Sequence, residues 1–481
     1  MDPVLFATET LLKRTTSRCP VCHADCPAEV WKVGGRERQR VMLRRRCAVH
    51  GEAEACISSD ARFYWLAQGD PQNACCGGNA CAASDGAVRG TLGRNAGAAS
   101  VVEKLSTCLV LIEVVHSCNL ACPTCYADSP HSARVDAVPL DDLQRRIRGV
   151  IERKGGIEIL QLSGGEPTLH PQFHELLAWC HAQPEIDYVL LNTNGVRLAT
   201  DDAFLDALGK TFRYGKFQLY LQFDGPQEAG QRSLRGADLR DIRRKCIERC
   251  GTLGIPITLA MTVTPENLAY VWASVEFGLQ YPHVRGVAFQ PVFGSGRGVE
   301  AALSRSDVPP PSSGKAARKN AAAQEKNGAA PAAQRAASTP LNTADIIVAL
   351  VEQSASRLRF DDFTPLPCGD PNCATIGYLL KTPLGVRSIS EFIDFAQVQG
   401  FLRDKVRYSL DDLARCGCES EPLGRLLHDF ELNETSTFRL FLKPFMDAWT
   451  WDQDRIDRCC THVIRPDGQL DSFCRYYAAP R

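Results

Sequence analysis

The chain reads as an α/β protein built on parallel βα units, with a cysteine-rich segment on either side. Three observations predict this. From Cys108 onward, short apolar runs alternate with amphipathic stretches of helical period. Hydrophobic residues make up 44% of the chain and charged residues 23%, the ordinary balance of a protein with a real core. The 22 cysteines are clustered in CxxC, CC and CxC pairs. In a reducing compartment such clusters point to several metal sites rather than to a disulfide scaffold.

Bulk properties exclude some functions. A net charge of −1 offers no electrostatic footprint for nucleic acid. The longest apolar run, Cys108 to Val115, is interrupted by Glu113 and falls short of the roughly 18 residues that span a bilayer. The opening MDPVLFATETLLKR lacks the apolar core of a secretion signal, so a cytoplasmic protein is expected. Five segments are predicted: a metal domain over 1–70, a cysteine-containing connector over 71–107, the βα region over 108–300, a linker over 301–341 and a cysteine-rich C-terminal domain over 342–481.

The first segment carries Cys19-Pro20-Val21-Cys22, then Cys26, then Cys47-Ala48-Val49-His50. Two knuckles separated by a hairpin-length stretch are how zinc ribbons and rubredoxins bind one zinc or iron tetrahedrally. Glu29–Trp31 and Gln39–Leu43 read as strands joined at Gly34-Gly35. Cys19, Cys22 and Cys47 are the predicted ligands, and His50, Cys26 or Cys56 is the fourth. In the connector, Cys75, Cys76 and Cys81 fall within seven residues and suit a cluster or a soft ion.

In the βα region, Leu109–Val115 is the first strand. The loop Cys118-Asn119-Leu120-Ala121-Cys122-Pro123-Thr124-Cys125-Tyr126 follows it directly. A [4Fe–4S] cluster has four irons, each normally held by a thiolate. Three cysteines at this spacing hold three irons and leave one open to a ligand. A helix over 141–154 leads to a second strand, 156–162, which ends in Ser163-Gly164-Gly165-Glu166-Pro167. The glycines let backbone approach a ligand closely, and Glu166 offers a carboxylate to an ammonium. Four more strands follow: 188–191, 217–223, 257–263 and 287–289. Asn194, Gln222, Asp224, Thr262 and Gln290 stand at or near their C-terminal ends. Residues 301–341, rich in Ala, Pro, Ser and Gly, should not pack. Beyond them stand seven cysteines, among them Cys368, Cys373, Cys459, Cys460 and Cys474, more than one four-ligand site needs. Cys416-Gly417-Cys418 has no assigned place.

The cysteine loop, GGEP, TNG and FDG in this order resemble the radical S-adenosylmethionine (SAM) superfamily. The resemblance implies a partial (β/α)6 TIM-type barrel over 108–300, with a rubredoxin- or zinc-ribbon-like domain before it and an auxiliary-cluster domain after it. It implies that Cys118, Cys122 and Cys125 hold a SAM-cleaving [4Fe–4S] cluster. Tyr126, Gly164, Gly165, Glu166, Pro167, Asn194, Gln222, Asp224, Thr262 and Gln290 are then the expected SAM contacts. The C-terminal motifs, among them DFxPxPC, FMD, CCxH and FCxY, are similar to a group containing tetraether lipid synthase and dihydropterin methyltransferase-like proteins. That likeness implies auxiliary [4Fe–4S] clusters on the C-terminal cysteines. In this chain Cys75, Cys76 and Cys81 replace the group's second cysteine triad, so a cluster there is altered or lost.

The function expected is a radical SAM enzyme that makes a carbon radical and forms a bond on a small-molecule or lipid substrate. A flavodoxin- or ferredoxin-type donor would supply electrons. Two alternatives are weighed. One is transfer of the 3-amino-3-carboxypropyl group of SAM to a soft acceptor, such as an arsenic species on Cys75-Cys76. The other is a non-catalytic multi-metal scaffold.

Overall fold

A computed structural model describes residues 8–35, 39–67, 107–298, 336–338, 340–366, 369–392 and 434–478. The N-terminal unit is an antiparallel meander of β1 (Thr8–Arg18), β2 (Asp25–Gly34), β3 (Gln39–Cys47) and β4 (Gly51–Ser58). The two expected strands are the middle pair of four. Alternation explains the sheet: Ala28, Val30, Val41 and Leu43 are buried, and their neighbours along each strand are more exposed. A short strand, β11 (Ala336–Ser338), adds to β4 in parallel.

The βα region forms six consecutive parallel strands: β5 (Leu109–Val115), β6 (Ile157–Gly164), β7 (Ile186–Thr193), β8 (Phe217–Gln222), β9 (Ile257–Val263) and β10 (Val284–Pro291). Helices fill the crossovers. Leu140–Lys154 starts with Asp141 and Asp142 and buries Leu143, Ile147 and Val150 on one stripe. It stops where Gly155 turns left-handed at φ 80°. None of the described helices is long and apolar enough to cross a membrane.

Strand alternation positions the site. In β8, Phe217, Leu219 and Leu221 are buried, and Gln218, Tyr220 and Gln222 line the barrel interior. In β9, Leu259, Met261 and Val263 are buried, and Thr258, Ala260 and Thr262 line the interior. The interior therefore encloses a cavity whose wall mixes these polar groups with apolar side chains such as Leu111, Ile159 and Val287.

The C-terminal segment does not stand apart as a separate sheet. After β12 (Thr364–Pro365), β13 (Thr375–Thr382) and β14 (Gly385–Ser388), strand β15 (Thr437–Leu442) pairs in parallel with β10. Strand β16 (Thr461–Ile464) pairs in parallel with β5, and β17 (Leu470–Ser472) pairs with β16. The barrel sheet is thus extended on both edges by residues from the end of the chain.

Candidate radical SAM site

The three-cysteine loop leaves the C-terminal end of β5 and is clasped from several sides. Cys118 N–H donates to Pro130 O (2.9 Å) and Ser132 N–H to Cys118 O (3.2 Å). Arg297, beyond β10, donates through Nε to Cys122 O (3.0 Å) and through its backbone N–H to Cys125 O (3.0 Å). Cys118, Cys122 and Cys125 all line one cavity of about 290 Å³ inside the barrel. Burial pushes the thiols of Cys118 and Cys122 up, Cys118 to about 12 with Glu166 as a further cause. A bound metal would instead hold them as thiolates. Three cysteines on one short loop at a cavity wall are the donor set that a site-open [4Fe–4S] cluster requires.

The GGEP turn is docked onto this loop. Gly165 N–H donates to Val115 O (2.7 Å) and Glu166 N–H to Ser117 O (3.1 Å). A Cβ on Gly164 would lie 2.1 Å from Val115 O, and one on Gly165 would lie 2.0 Å from Ser117 O. Glycine is needed here for strand-to-loop contact. Glu166 is buried and its carboxylate is fully engaged. It accepts from the Thr168 N–H (3.2 Å) and hydroxyl (2.7 Å), the Thr193 hydroxyl (2.8 Å) and the Asn194 N–H (2.8 Å). Burial raises its pKa and these bonds oppose the rise. Glu166 therefore fixes the end of β7. Asn194, placed by it, donates to Asn119 Oδ1 (2.7 Å) and reaches within 3.9 Å of the Cys118 sulfur. Pro167 opens the short helix after this turn and lies outside the cavity lining.

Asp224 is fully buried at φ 62° and also lies outside the cavity lining. It forms a two-pronged ion pair with Arg235 (2.7 and 2.8 Å) and accepts from Thr262 N–H (3.0 Å). Burial works against its ionisation, but Arg235 overrides this and holds the carboxyl below the usual range. Arg235 lines the cavity, donates to the Thr262 hydroxyl (2.8 Å) and reaches the Cys122 thiol. Sequence reasoning missed Arg235 because it sits in a five-residue helix away from any strand end.

Of the other expected contacts, Tyr126, Gln222, Thr262 and Gln290 all line the cavity. Gln222 accepts from Arg243 (2.9 Å) and Gln290 donates to the Tyr220 hydroxyl (2.8 Å). Tyr126 packs edge-on against Tyr477 at 4.9 Å. Deeper in the barrel stand Gln161, Asn192, Tyr188, Gln218 and Arg439. Period-two alternation in β8 and β15 was the signal that could have found Gln218 and Arg439; β6, which carries Gln161, is buried over most of its length and shows no such alternation.

The C-terminal cysteines converge behind the cavity wall. Cys373, Cys459, Cys460 and Cys474 interact electrostatically, and burial pushes the Cys474 thiol up to about 11. Arg455 places Nη2 3.8 Å from the Cys373 sulfur, and its Nε is buried without a partner. A buried cation among thiols suits an anionic cluster. Phe473 and Thr461, each beside one of these cysteines in the chain, line the main cavity. Cys75, Cys76, Cys81 and Cys368 lie outside the described residues.

In the N-terminal unit, the ligand atoms of Cys19, Cys22, Cys47 and His50 all lie within 4.8 Å of one another. The Cys47 thiol is held down to about 6 by backbone N–H groups of His50 and Val49. Such N–H···S contacts favour the thiolate that zinc needs. Cys26 is buried beside this group, but its thiol turns to Ala24 O (3.4 Å). Cys56 faces elsewhere in β4, where burial pushes its thiol to about 11.

Residues 112–278 match the radical SAM superfamily, and residues 11–59 match the HMPTM N-terminal zinc ribbon domain. Residues 112–278 are thus a radical SAM domain. It is 25% identical over 529 residues to the 7,8-dihydro-6-hydroxymethylpterin dimethyltransferase of Methanocaldococcus jannaschii, covering 96% of this chain and 93% of that protein. Shorter similarities reach the PqqA peptide cyclase of Gluconobacter oxydans (34% identity; 34% of this chain, 43% of that one). The GTP 3′,8-cyclase of Chlorobaculum tepidum is 39% identical, over 21% of this chain and 28% of that one. The chain is thus a radical SAM enzyme, with a zinc ribbon ahead of its barrel.

Proposed function

We propose that this enzyme reductively cleaves SAM and uses the carbon radical to form a bond on carbon in a small-molecule or lipid substrate. The observation that carries the proposal is the three-cysteine loop opening into a barrel cavity, with GGEP docked against it. Cys118, Cys122 and Cys125 would hold the cluster. The cluster, when bound, supplies the electron that splits a carbon–sulfur bond of SAM. Asn194, placed by Glu166, and Arg235, placed by Asp224, orient ligands at the cavity mouth. Tyr126, Gln222, Thr262 and Gln290 supply its polar wall. Phe293, Phe445 and Phe473, packed ring against ring, form its aromatic wall.

Cys19, Cys22, Cys47 and His50 hold a structural zinc, since four protein ligands leave no open position. Cys373, Cys459, Cys460 and Cys474 hold an auxiliary cluster within reach of the cavity, fed by a flavodoxin- or ferredoxin-type donor. A reduced pterin is the first substrate to test, because the relative matched along nearly its whole length is named for one.

The test is anaerobic incubation of the iron-loaded protein with SAM, dithionite and 7,8-dihydro-6-hydroxymethylpterin, read by mass spectrometry. The expected products are 5′-deoxyadenosine and methionine from the cleaved SAM, and a methylated pterin with S-adenosylhomocysteine from a second SAM that donates the methyl group. Methylthioadenosine as the main SAM product would move the assignment to 3-amino-3-carboxypropyl transfer. No SAM turnover at all would overturn the proposal.

A further inference from the structure

The cavity is unevenly charged. Among the described residues, four charged side chains line it: Glu166, Arg235, Arg439 and Lys443. Glu166 is saturated by four hydrogen bonds, and Arg235 is neutralised by Asp224. Lys443 donates to the Thr461 hydroxyl at 2.9 Å and faces the C-terminal cysteines, whose Cys459 and Cys474 it influences. Arg439 has no such assignment. It makes no ion pair with any described residue. Its Nε is buried without a hydrogen-bond partner.

Arg439 lies at the floor of the cavity. In the sheet register it is level with Gly286 of β10, which is level with Thr258 of β9. Thr258 is four residues below Thr262, the β9 residue that Arg235 contacts at the mouth. Four residues of strand place the floor about 13 Å from that level. Gly286 leaves the room, since a Cβ there would lie 2.9 Å from the Arg439 Cβ. Tyr378, the cross-strand partner, sets its ring against the guanidinium, 6.0 Å away. Gln218 and Thr258 add neutral donors at the same depth.

Holding a guanidinium against a cavity with no free counter-charge among the described residues is costly unless a ligand supplies one. Its planar fork matches an oxyanion, carboxylate or phosphate, better than any neutral group. We propose that Arg439 is a specificity-determining residue that binds an anionic group of the substrate, at the end of the cavity remote from the three-cysteine loop. The substrate class is then an acid or phosphate ester whose reacting carbon lies toward the cysteines, so the uncharged pterin of the first assay leaves this end of the cavity unfilled. This rests on the radical SAM reading of the cavity mouth.

The experiment is anaerobic calorimetric titration of the full-length, iron-loaded protein with inorganic phosphate and, separately, with propionate. Wild type is compared with Arg439→Met and Arg439→Lys. One of the two anions is expected to bind wild type saturably, at least tenfold more weakly to the Met variant, and within a few fold to the Lys variant. The anion that binds identifies the group as phosphate or carboxylate. Absence of binding of either anion to wild type, or equal binding to the Met variant, would overturn the inference. Circular dichroism checks folding, and Arg439→Gln replaces the Met variant if that one unfolds. SAM cleavage by wild type is measured on the same preparation. Its absence defeats the radical reading, whereas the titration alone decides the role of Arg439.

Discussion

At the scale of single residues, two carboxylates that look like ligand contacts hold other residues in place. Glu166 gathers Thr168, Thr193 and Asn194 around one buried charge. Glu166→Gln turns an acceptor oxygen into a donor against groups that already donate. We expect a loss of about 1.5–3 kcal/mol in urea unfolding, together with weaker SAM binding as Asn194 shifts. Asp224→Asn leaves Arg235 and Arg243 facing each other without their shared anion. Breaking a buried pair this way costs about 3–5 kcal/mol. A fall in the unfolding midpoint of that size is the check, and an unchanged midpoint would remove Asp224 from this role.

At the scale of elements, the docking of the turn after β6 onto the loop after β5 is set by two glycines. Gly165→Ala would drive a methyl into Ser117 O, which is backbone and cannot step aside. The expected result is reduced iron and sulfide per chain after anaerobic reconstitution, with zinc content unchanged because the ribbon lies elsewhere. The ribbon itself depends on thiolates. Cys47→Ser should abolish zinc binding, measured by metal analysis, while Cys26→Ser should leave it intact because that thiol is turned to Ala24 O.

At the scale of the whole molecule, the ribbon is fastened to the segment that ends in the C-terminal cysteines. Arg45 donates to Ala448 O (2.6 Å) and Trp449 O (2.5 Å), and Arg18 lies 3.6 Å above the Trp451 ring. Lys13 pairs with Asp452 at 2.7 Å. Loss of zinc should therefore lower the thermal stability of the whole chain and not of the ribbon alone. Acid acts through His181, whose imidazole is lowered to about 4 by burial, with Arg213 and Lys216 adding to it. The folded state holds it neutral and the unfolded chain does not. Its contribution is complete above the unfolded value of about 6.5 and is lost as pH falls toward 4. Tm should drop across that window, and His181→Leu should flatten the drop.

The sequence by itself determined the local chemistry. The spacing of Cys118, Cys122 and Cys125, the order of the strands β5 to β10 and the two ribbon knuckles depend on residues close together in the chain. Short-range spacing and period-two alternation carry that information directly. Only the tertiary structure decided what faces what. It chose His50 over Cys26 beside the ribbon thiols, turned Glu166 inward, put Asp224 behind Arg235 and brought β15 and β16 to opposite edges of one sheet. These outcomes rest on contacts between residues far apart in sequence, such as Arg439 with Tyr378 and Arg45 with Ala448. Burial and charge pairing across the fold settle such contacts, and no local pattern encodes them.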